Sequence, residues 1–404
     1  MSWDFDVAVV GGGPAGTSTA LHLVRREGIA ASRILLLEKA RHPREKPCAG
    51  AVSTWGLDAL AAIGVALQVP HVDMLGLRVL TAAGAGEHAS RLGVVVRRCE
   101  FDASLWRAAG ADGVVASDGE PLVGLERSAE GWRLTTARRT ATARLVAACD
   151  GAGSTVRKLA GLRESARKGH LYVTETPVGS QDVHARAGVC DFDLRVADAG
   201  VEGYYWDFPT VIDGAPAVSR GIYHANLTPR PDLKGHLVRS LAARGVDATR
   251  VKVKPFSTRP LVPGSTFSRR GLALVGEAAG IDATTGEGIA QAILMGAIAA
   301  THLARALRLG QDGLESYGDD VKGAPVGRHL LQSAWLARHV YAVRGAAWRE
   351  FLAREPRALQ AGARWYAGER LSWLSKARLG AGLAVQLAPT SWGRARRFVE
   401  AALQ

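Results

Sequence analysis

Apolar residues fall in short unbroken blocks near the start of the chain. Phe5-Asp6-Val7-Ala8-Val9-Val10 reads as a buried strand and runs straight into Gly11-Gly12-Gly13. A helix-like segment follows over residues 14–26, and a second block, Arg33-Ile34-Leu35-Leu36-Leu37-Glu38, repeats the strand pattern. Strand, glycine turn, helix and strand in this order predict a parallel βαβ unit. Two later blocks end in the same way: residues 143–148 run into Asp150-Gly151, and residues 272–275 run into Gly276-Glu277. The parallel sheet is thus predicted to come from three separated segments. Between them the pattern switches to alternation, notably over residues 76–80 and 203–223, which predicts a second, antiparallel sheet. After Gly286 the chain is rich in Ala, Leu and Arg and is predicted to be helical to its end.

The fold class that follows is α/β (α+β overall): a Rossmann-like dinucleotide-binding domain with a parallel sheet, interleaved with an antiparallel-sheet substrate domain. Residues 1–70, 91–165 and 260–310 are assigned to the first domain, 71–90 and 166–259 to the second, and 311–404 to a C-terminal helical region. A length of 404 residues, 47% hydrophobic and 22% charged, suits two joined domains with an ample core. The first strand begins at once and ends in glycines rather than a cleavage site, so no secretory signal is expected. No run approaches about 20 uninterrupted apolar residues, so a spanning helix is not expected. Cys48, Cys99, Cys149 and Cys190 are too scattered for a metal site or redox pair and fit a reducing cytoplasm. Histidines such as His71, His170, His184, His224 and His236 show no metal-ligand spacing.

Gly11-Gly12-Gly13-Pro14-Ala15-Gly16 sits between the first strand and its helix and carries the G-x-G-x-x-G pattern. Gly11 permits the tight turn, Gly13 lets backbone approach a pyrophosphate, and Gly16 lets helix and strand pack closely. Glu38, followed by Lys39, lies at the end of the second strand, 22 positions after Gly16, where a carboxylate accepts ribose hydroxyls. With its strand, helix and acid in place, this is a dinucleotide site. Only one such fingerprint is present, because Gly380-Ala381-Gly382 lacks a third glycine and an acidic partner.

Further segments separate FAD from NAD. Arg98-Cys99-Glu100-Phe101-Asp102, with Leu105, resembles the Arg-x-x-Phe-Asp-x-x-Leu segment of flavoprotein hydroxylases. Asp150-Gly151-Ala152-Gly153-Ser154 resembles their Asp-Gly segment, and Gly276-Glu277-Ala278-Ala279-Gly280 their Gly-Asp segment. Lys46-Pro47-Cys48-Ala49-Gly50-Ala51-Val52-Ser53 resembles the Lys-Pro-Cys-Gly-Gly-Gly-Leu-Ser segment of geranylgeranyl reductases, with Ala49 and Ala51 in place of glycines. Tyr204-Tyr205-Trp206-Asp207-Phe208-Pro209 matches their Tyr-x-Trp-x-Phe-Pro segment, and Gly286-Glu287-Gly288-Ile289 begins a shared helix. The chain is thereby similar to the geranylgeranyl reductase-like family over roughly residues 4–305.

The resemblance implies non-covalent FAD. Arg98 approaches the nucleotide, Asp150 is among the cofactor-binding residues, the Glu277 carboxylate binds the ribityl chain, and the amides around Gly286, Gly288 and Ile289 face the flavin pyrimidine. It places Cys48 near the isoalloxazine as a tentative catalytic residue, with Lys46 and His42 favouring its thiolate. It makes Tyr204, Trp206 and Phe208 one face of a strand lining a cavity for a hydrophobic small molecule. The implied reaction is reduction of carbon–carbon double bonds in an isoprenoid or other apolar substrate, with NADPH or NADH as a transient reductant. Flavin monooxygenation is the alternative, and a non-catalytic prenyl-binding carrier is a third class. The Trp-x-Trp-x-Ile-Pro segment of flavin halogenases is absent.

Charge adds one expectation. The net charge is +13, and residues 341–404 hold 11 Lys and Arg against four Glu, a net of +7, with Trp348, Trp365, Trp373 and Trp392. No nucleic-acid partner is expected. The C-terminal region is predicted to rest on an anionic membrane surface, arginines among headgroups and indoles at the interface, so the protein is read as cytoplasmic and possibly membrane-associated.

Overall fold

The computed structural model describes residues 3–129, 131–162, 168–226, 231–342 and 345–387. Among these residues the chain forms two eight-stranded sheets. The first follows the order Ser268–Arg269, Leu272–Leu274, Thr140–Ala148, Phe5–Val10, Ile34–Leu37 and Val115–Ser117, with a hairpin of Leu122–Arg127 and Trp132–Thr136 hung from Thr140–Ala148. The strand Phe5–Val10 pairs in parallel with Ile34–Leu37 on one side and Thr140–Ala148 on the other. Leu272–Leu274 adds in parallel beyond Thr140–Ala148. The continuous apolar blocks arise because both faces of this sheet are covered: Val7, Ala8, Val9 and Leu36 are fully buried.

The second sheet runs Lys254–Thr258, Gly169–Pro177, Ala215–His224, Gly203–Ile212, Val189–Asp193, His71–Thr81, Gly84–Val96 and Ala51–Ser53. It is antiparallel except where Val189–Asp193 lies parallel to His71–Thr81. It keeps the chain as far as Val96, past the boundary at residue 90 drawn from sequence, and it takes in Ala51–Ser53 as well. The reason is register. Val94, Val95 and Val96 pair with Asp73, Val72 and His71, so the strand continues until Arg98 begins a helix.

The helix Pro14–Arg25 packs alongside Ile289–Arg308, which closes one face of the parallel sheet. A Cβ on Gly276 would lie 2.9 Å from the Cβ of Ala15 and 3.0 Å from that of Ala292, so only glycine fits between the two helices. Ile289–Arg308 is 20 residues long and apolar enough to cross a bilayer by length and composition, although Gln291, Thr301, His302 and two arginines interrupt it. Two-thirds of its apolar window is buried inside the protein, which makes it a core helix. Further helices, Pro325–Val340, Ala346–Arg354, Pro356–Tyr366 and Trp373–Leu387, follow toward the C-terminus. Gly380 and Gly382 fall inside the last of these, so that glycine pair is not a nucleotide turn.

Candidate active site

The turn after the first strand presents backbone to the cleft. Gly11 adopts φ +113°, and a Cβ there would stand 2.3 Å from the Cys149 carbonyl oxygen. A Cβ on Gly16 would stand 1.8 Å from the Gly11 oxygen, so helix and strand pack too closely for a side chain. Gly13 has an ordinary φ of −85°, and a Cβ there would meet only the end of Arg44, at 3.2 Å, and Asp102 at 4.0 Å. What Gly13 leaves open is the approach to the N-terminus of Pro14–Arg25. Pro14 starts that helix, no side chain caps it, and no acid stands in its first turn. Uncapped amides and the helix dipole there form an anion site.

Glu38 is buried at the end of Ile34–Leu37. Its Oε2 accepts from the Gly12 amide at 2.9 Å and its Oε1 from the Ala40 amide at 3.1 Å. Lys39 beside it is exposed. Arg44 bridges two carboxylates, with Nε 3.1 Å from Glu38 and Nη1 3.2 Å from Asp102. Its guanidinium thus stands across from Gly13, where a pyrophosphate would approach. Sequence reasoning missed Arg44, because nothing local distinguishes it from Arg41 or Lys39.

Arg98 and Asp102 are both buried and joined by two hydrogen bonds of 2.8 Å. Burial works against both charges, but the pairing outweighs it. The Asp102 carboxyl is held below its usual value, and the Arg98 guanidinium above its own, with a smaller contribution from Cys48. Cys48 is half-buried, and the Gly50 amide donates to its sulfur at 3.4 Å. The cation against this thiol is therefore Arg98 rather than Lys46 or His42, as the sequence had suggested. Lys46 instead pairs with Glu277 at 2.8 Å, and His42 stacks on Trp106 with centroids 4.8 Å apart. Cys48 and Ala49 border a cavity of about 170 Å³ whose lining includes Lys46, Arg98, Thr174 and Ser219.

Glu277 lies 3.6 Å from the position of a Cβ on Gly151, so the Asp150-Gly151 and Gly276-Glu277 turns adjoin. Asp150 itself turns away. Its carboxyl accepts from Ser154 Oγ at 2.6 Å and the Val156 amide at 2.9 Å, which holds the start of the helix Thr155–Leu159. Burial pushes its pKa up. Gly286 adopts φ +67° against the Tyr223 ring, and Gly288 caps Ile289–Arg308 without a side-chain hydrogen bond.

Tyr204, Trp206 and Phe208 do share one face of Gly203–Ile212, and all three are buried. Phe192 packs between Tyr204 and Phe208, at centroid distances of 5.1 and 5.0 Å. The Tyr204 hydroxyl donates to the Thr285 carbonyl, tying this sheet to the turn before Gly286. The stripe that the resemblance assigned to a lipid cavity is here a packed aromatic cluster. Behind it lies a polar knot that the sequence did not reveal. Asp282 accepts from the Thr284 and Thr285 amides at 2.7 and 2.8 Å and from Ser333, and pairs with His329 at 3.0 Å. His329 and Ser333 lie 47 and 51 positions from Asp282 in sequence, so no spacing signal joins them.

The groups present fit FAD: an uncapped helix N-terminus opposite Arg44, a buried carboxylate at the second strand end, and a second helix N-terminus at Gly288 without a side-chain cap. Fold and site together define an FAD-binding oxidoreductase. Residues 4–197 match the family described as FAD binding domain. A digeranylgeranylglycerophospholipid reductase of Methanothermobacter thermautotrophicus is 30% identical over 324 residues, which cover 76% of this chain and 80% of that protein. A rifampicin monooxygenase of Streptomyces venezuelae is 29% identical, but over 45% of this chain and 38% of that protein. The crystal structure of a geranylgeranyl bacteriochlorophyll reductase-like protein from Thermoplasma acidophilum superposes with a TM-score of 0.74 at 21% identity, covering 94% and 96% of the two chains. The chain belongs to the geranylgeranyl reductase-like family of FAD-dependent oxidoreductases.

Proposed function

We propose that this protein reduces carbon–carbon double bonds in an isoprenoid or other apolar substrate, with NADPH or NADH as the transient donor. The observation that carries this reading is the similarity to a lipid reductase through three-quarters of the chain, sheet and helices together. FAD, when bound, supplies hydride transfer. The chain's part is placement. The helix Pro14–Arg25 and Arg44 hold the pyrophosphate, Glu38 the ribose, and Lys46 with Glu277 the ribityl side. Cys48, backed by the Arg98 guanidinium, borders the cavity beside them and is positioned to hold or deliver a proton at its sulfur. The aromatic cluster of Tyr204, Trp206 and Phe208 excludes water, and its rings would part to admit an apolar chain. Anaerobic mixing with NADPH, followed by addition of a geranylgeranyl lipid, tests the reading: the flavin colour returns and the lipid gains hydrogen. Oxygen consumption coupled to hydroxylated product would instead favour the monooxygenase reading, which the match to rifampicin monooxygenase supports.

We also infer that the C-terminal region meets an anionic membrane. Trp373 is 79% exposed and is followed by the exposed Leu374, with Lys376 and Arg378 on the same helix. Trp365 does not take part, since its ring stacks on His329 at 4.1 Å. Trp392, Arg394, Arg396 and Arg397 lie outside the described residues.

A further inference from the structure

The helices Pro14–Arg25 and Ile289–Arg308 run parallel. Ala15 faces Ala292 across Gly276, Ser18 Oγ donates to the Ile293 carbonyl at 2.8 Å, and near the far ends Thr301 donates to Glu27 at 2.8 Å. Their N-termini therefore open on the same cleft, with Gly276 and Glu277 between them. A dinucleotide whose pyrophosphate lies on the first helix N-terminus, and which passes Lys46 and Glu277, carries its ring toward the second. That second N-terminus is capped by Gly288, with no side chain closing it.

One residue ahead of this cap, Glu287 turns its carboxyl inward. It is 8% exposed, accepts from the Ser53 amide at 3.3 Å on Oε1, and from Gln291 Nε2 at 3.1 Å on Oε2. Ser53 Oγ and Gln291 Oε1, both on fully buried residues, have no hydrogen-bond partner among the described residues, so the pocket is polar and under-satisfied. The groups facing the carboxyl come from every element packed there. They are Gln291 on its own helix, Ser53 on Ala51–Ser53, Asp282 on the preceding loop, His329 on Pro325–Val340 and Tyr366 on Pro356–Tyr366. Burial pushes the Glu287 carboxyl up to about 7, against the pull of His329 and Gln291, while Asp282 adds to the rise. This carboxyl therefore changes charge near neutrality at the helix end that would face the ring.

Two negative charges at one helix N-terminus in a buried site disfavour each other. A flavin that receives a hydride gains two electrons and one proton, and so gains a negative charge. We propose that Glu287 is the group that compensates it: on reduction of an FAD held in this cleft, the Glu287 carboxylate would take one proton from solvent and become a neutral carboxylic acid. Charge then balances, with the hydride on the ring and the proton on the side chain. The inference rests on FAD lying in the cleft described above, and not on the identity of the substrate.

The test is a redox titration of the holoenzyme with dithionite from pH 5.5 to 8.5, with flavin content measured first. In the wild type, reduction takes up two protons per two electrons above about pH 7 and one below it, where Glu287 is already neutral before reduction. Glu287→Gln takes up one proton per two electrons above pH 7, and Glu287→Asp retains the second. Protonation of the ring itself has the opposite signature: its extra proton appears at low pH, and the absorption of the reduced flavin changes there. A redox-difference infrared spectrum at pH 8 should show a carboxylic-acid carbonyl band in the wild type that is missing in Glu287→Gln. If the Gln variant fails to hold flavin, the wild type alone decides. One proton per two electrons at pH 8 with no such band overturns the proposal, and preparations that hold no flavin at all overturn instead the placement of FAD.

Discussion

Lys46 and Glu277 stand 231 positions apart in sequence and meet at 2.8 Å between Nζ and Oε2. The ammonium also lies 4.6 Å from the centre of the Phe256 ring. One contact thus joins three segments: the Cys48 loop, a strand of the antiparallel sheet and the turn after Leu272–Leu274. It also sets where Glu277 points, which matters because Glu277 is one methylene longer than the aspartate of the Gly-Asp segment that residues 276–280 resemble.

Lys46→Met is expected to fold, since the pair is partly solvated, and to weaken FAD binding by about 10-fold, the scale of one charge-assisted hydrogen bond. Fluorescence titration of the apoprotein with FAD measures it. An unchanged affinity would place the ribityl chain elsewhere.

Gly13→Val should fold and bind no FAD. The new Cβ meets only the flexible end of Arg44, at 3.2 Å, and φ is −85°, so the apoprotein suffers little strain. The branched side chain nevertheless fills the approach to the helix N-terminus. Flavin released on denaturation, counted per mole of protein, should be near zero while circular dichroism stays unchanged.

Asp102→Ala should lose about 3–5 kcal/mol of stability, because it leaves the Arg98 guanidinium buried without its carboxylate. Urea unfolding reads this directly. The double variant Asp102→Ala with Arg98→Met should recover part of the loss; no recovery would mean that Asp102 acts chiefly through Arg44.

Cys48→Ser is expected to fold and keep FAD, yet change turnover or the ratio of products. Among the described residues its sulfur meets the Gly50 amide and the Arg98 guanidinium, and serine can keep both. Steady-state rates equal to the wild type at several pH values would reduce Cys48 to a packing residue.

Binding to liposomes should require anionic lipid and weaken as salt rises, because exposed charges are screened within about 10 Å at 0.1 M. Trp373→Ala and the triple change of Arg394, Arg396 and Arg397 to Gln should each lower the sedimented fraction. Equal recovery in the supernatant with neutral and anionic vesicles would leave the positive charge as a matter of solubility.

The nucleotide half of the site was legible in the amino-acid sequence because its parts are covalent neighbours. Val7 to Val10 form one apolar block, Gly11 takes a positive φ, and Pro14 starts the helix, all within one short covalent stretch. The spacing from Gly16 to Glu38 follows from the length of one helix and one strand. Arg44 spanning Glu38 and Asp102, Arg98 rather than Lys46 against Cys48, and Asp282 with His329 behind the Gly286 turn were decided only by tertiary structure. The aromatic alternation of Tyr204, Trp206 and Phe208 fixed a shared face, but not whether that face is open or filled; Phe192 on the neighbouring strand fills it. A side chain's period along the chain sets its direction, whereas its partner depends on which distant segments the sheets bring within a few ångströms, and charge pairs of this kind leave no periodic trace.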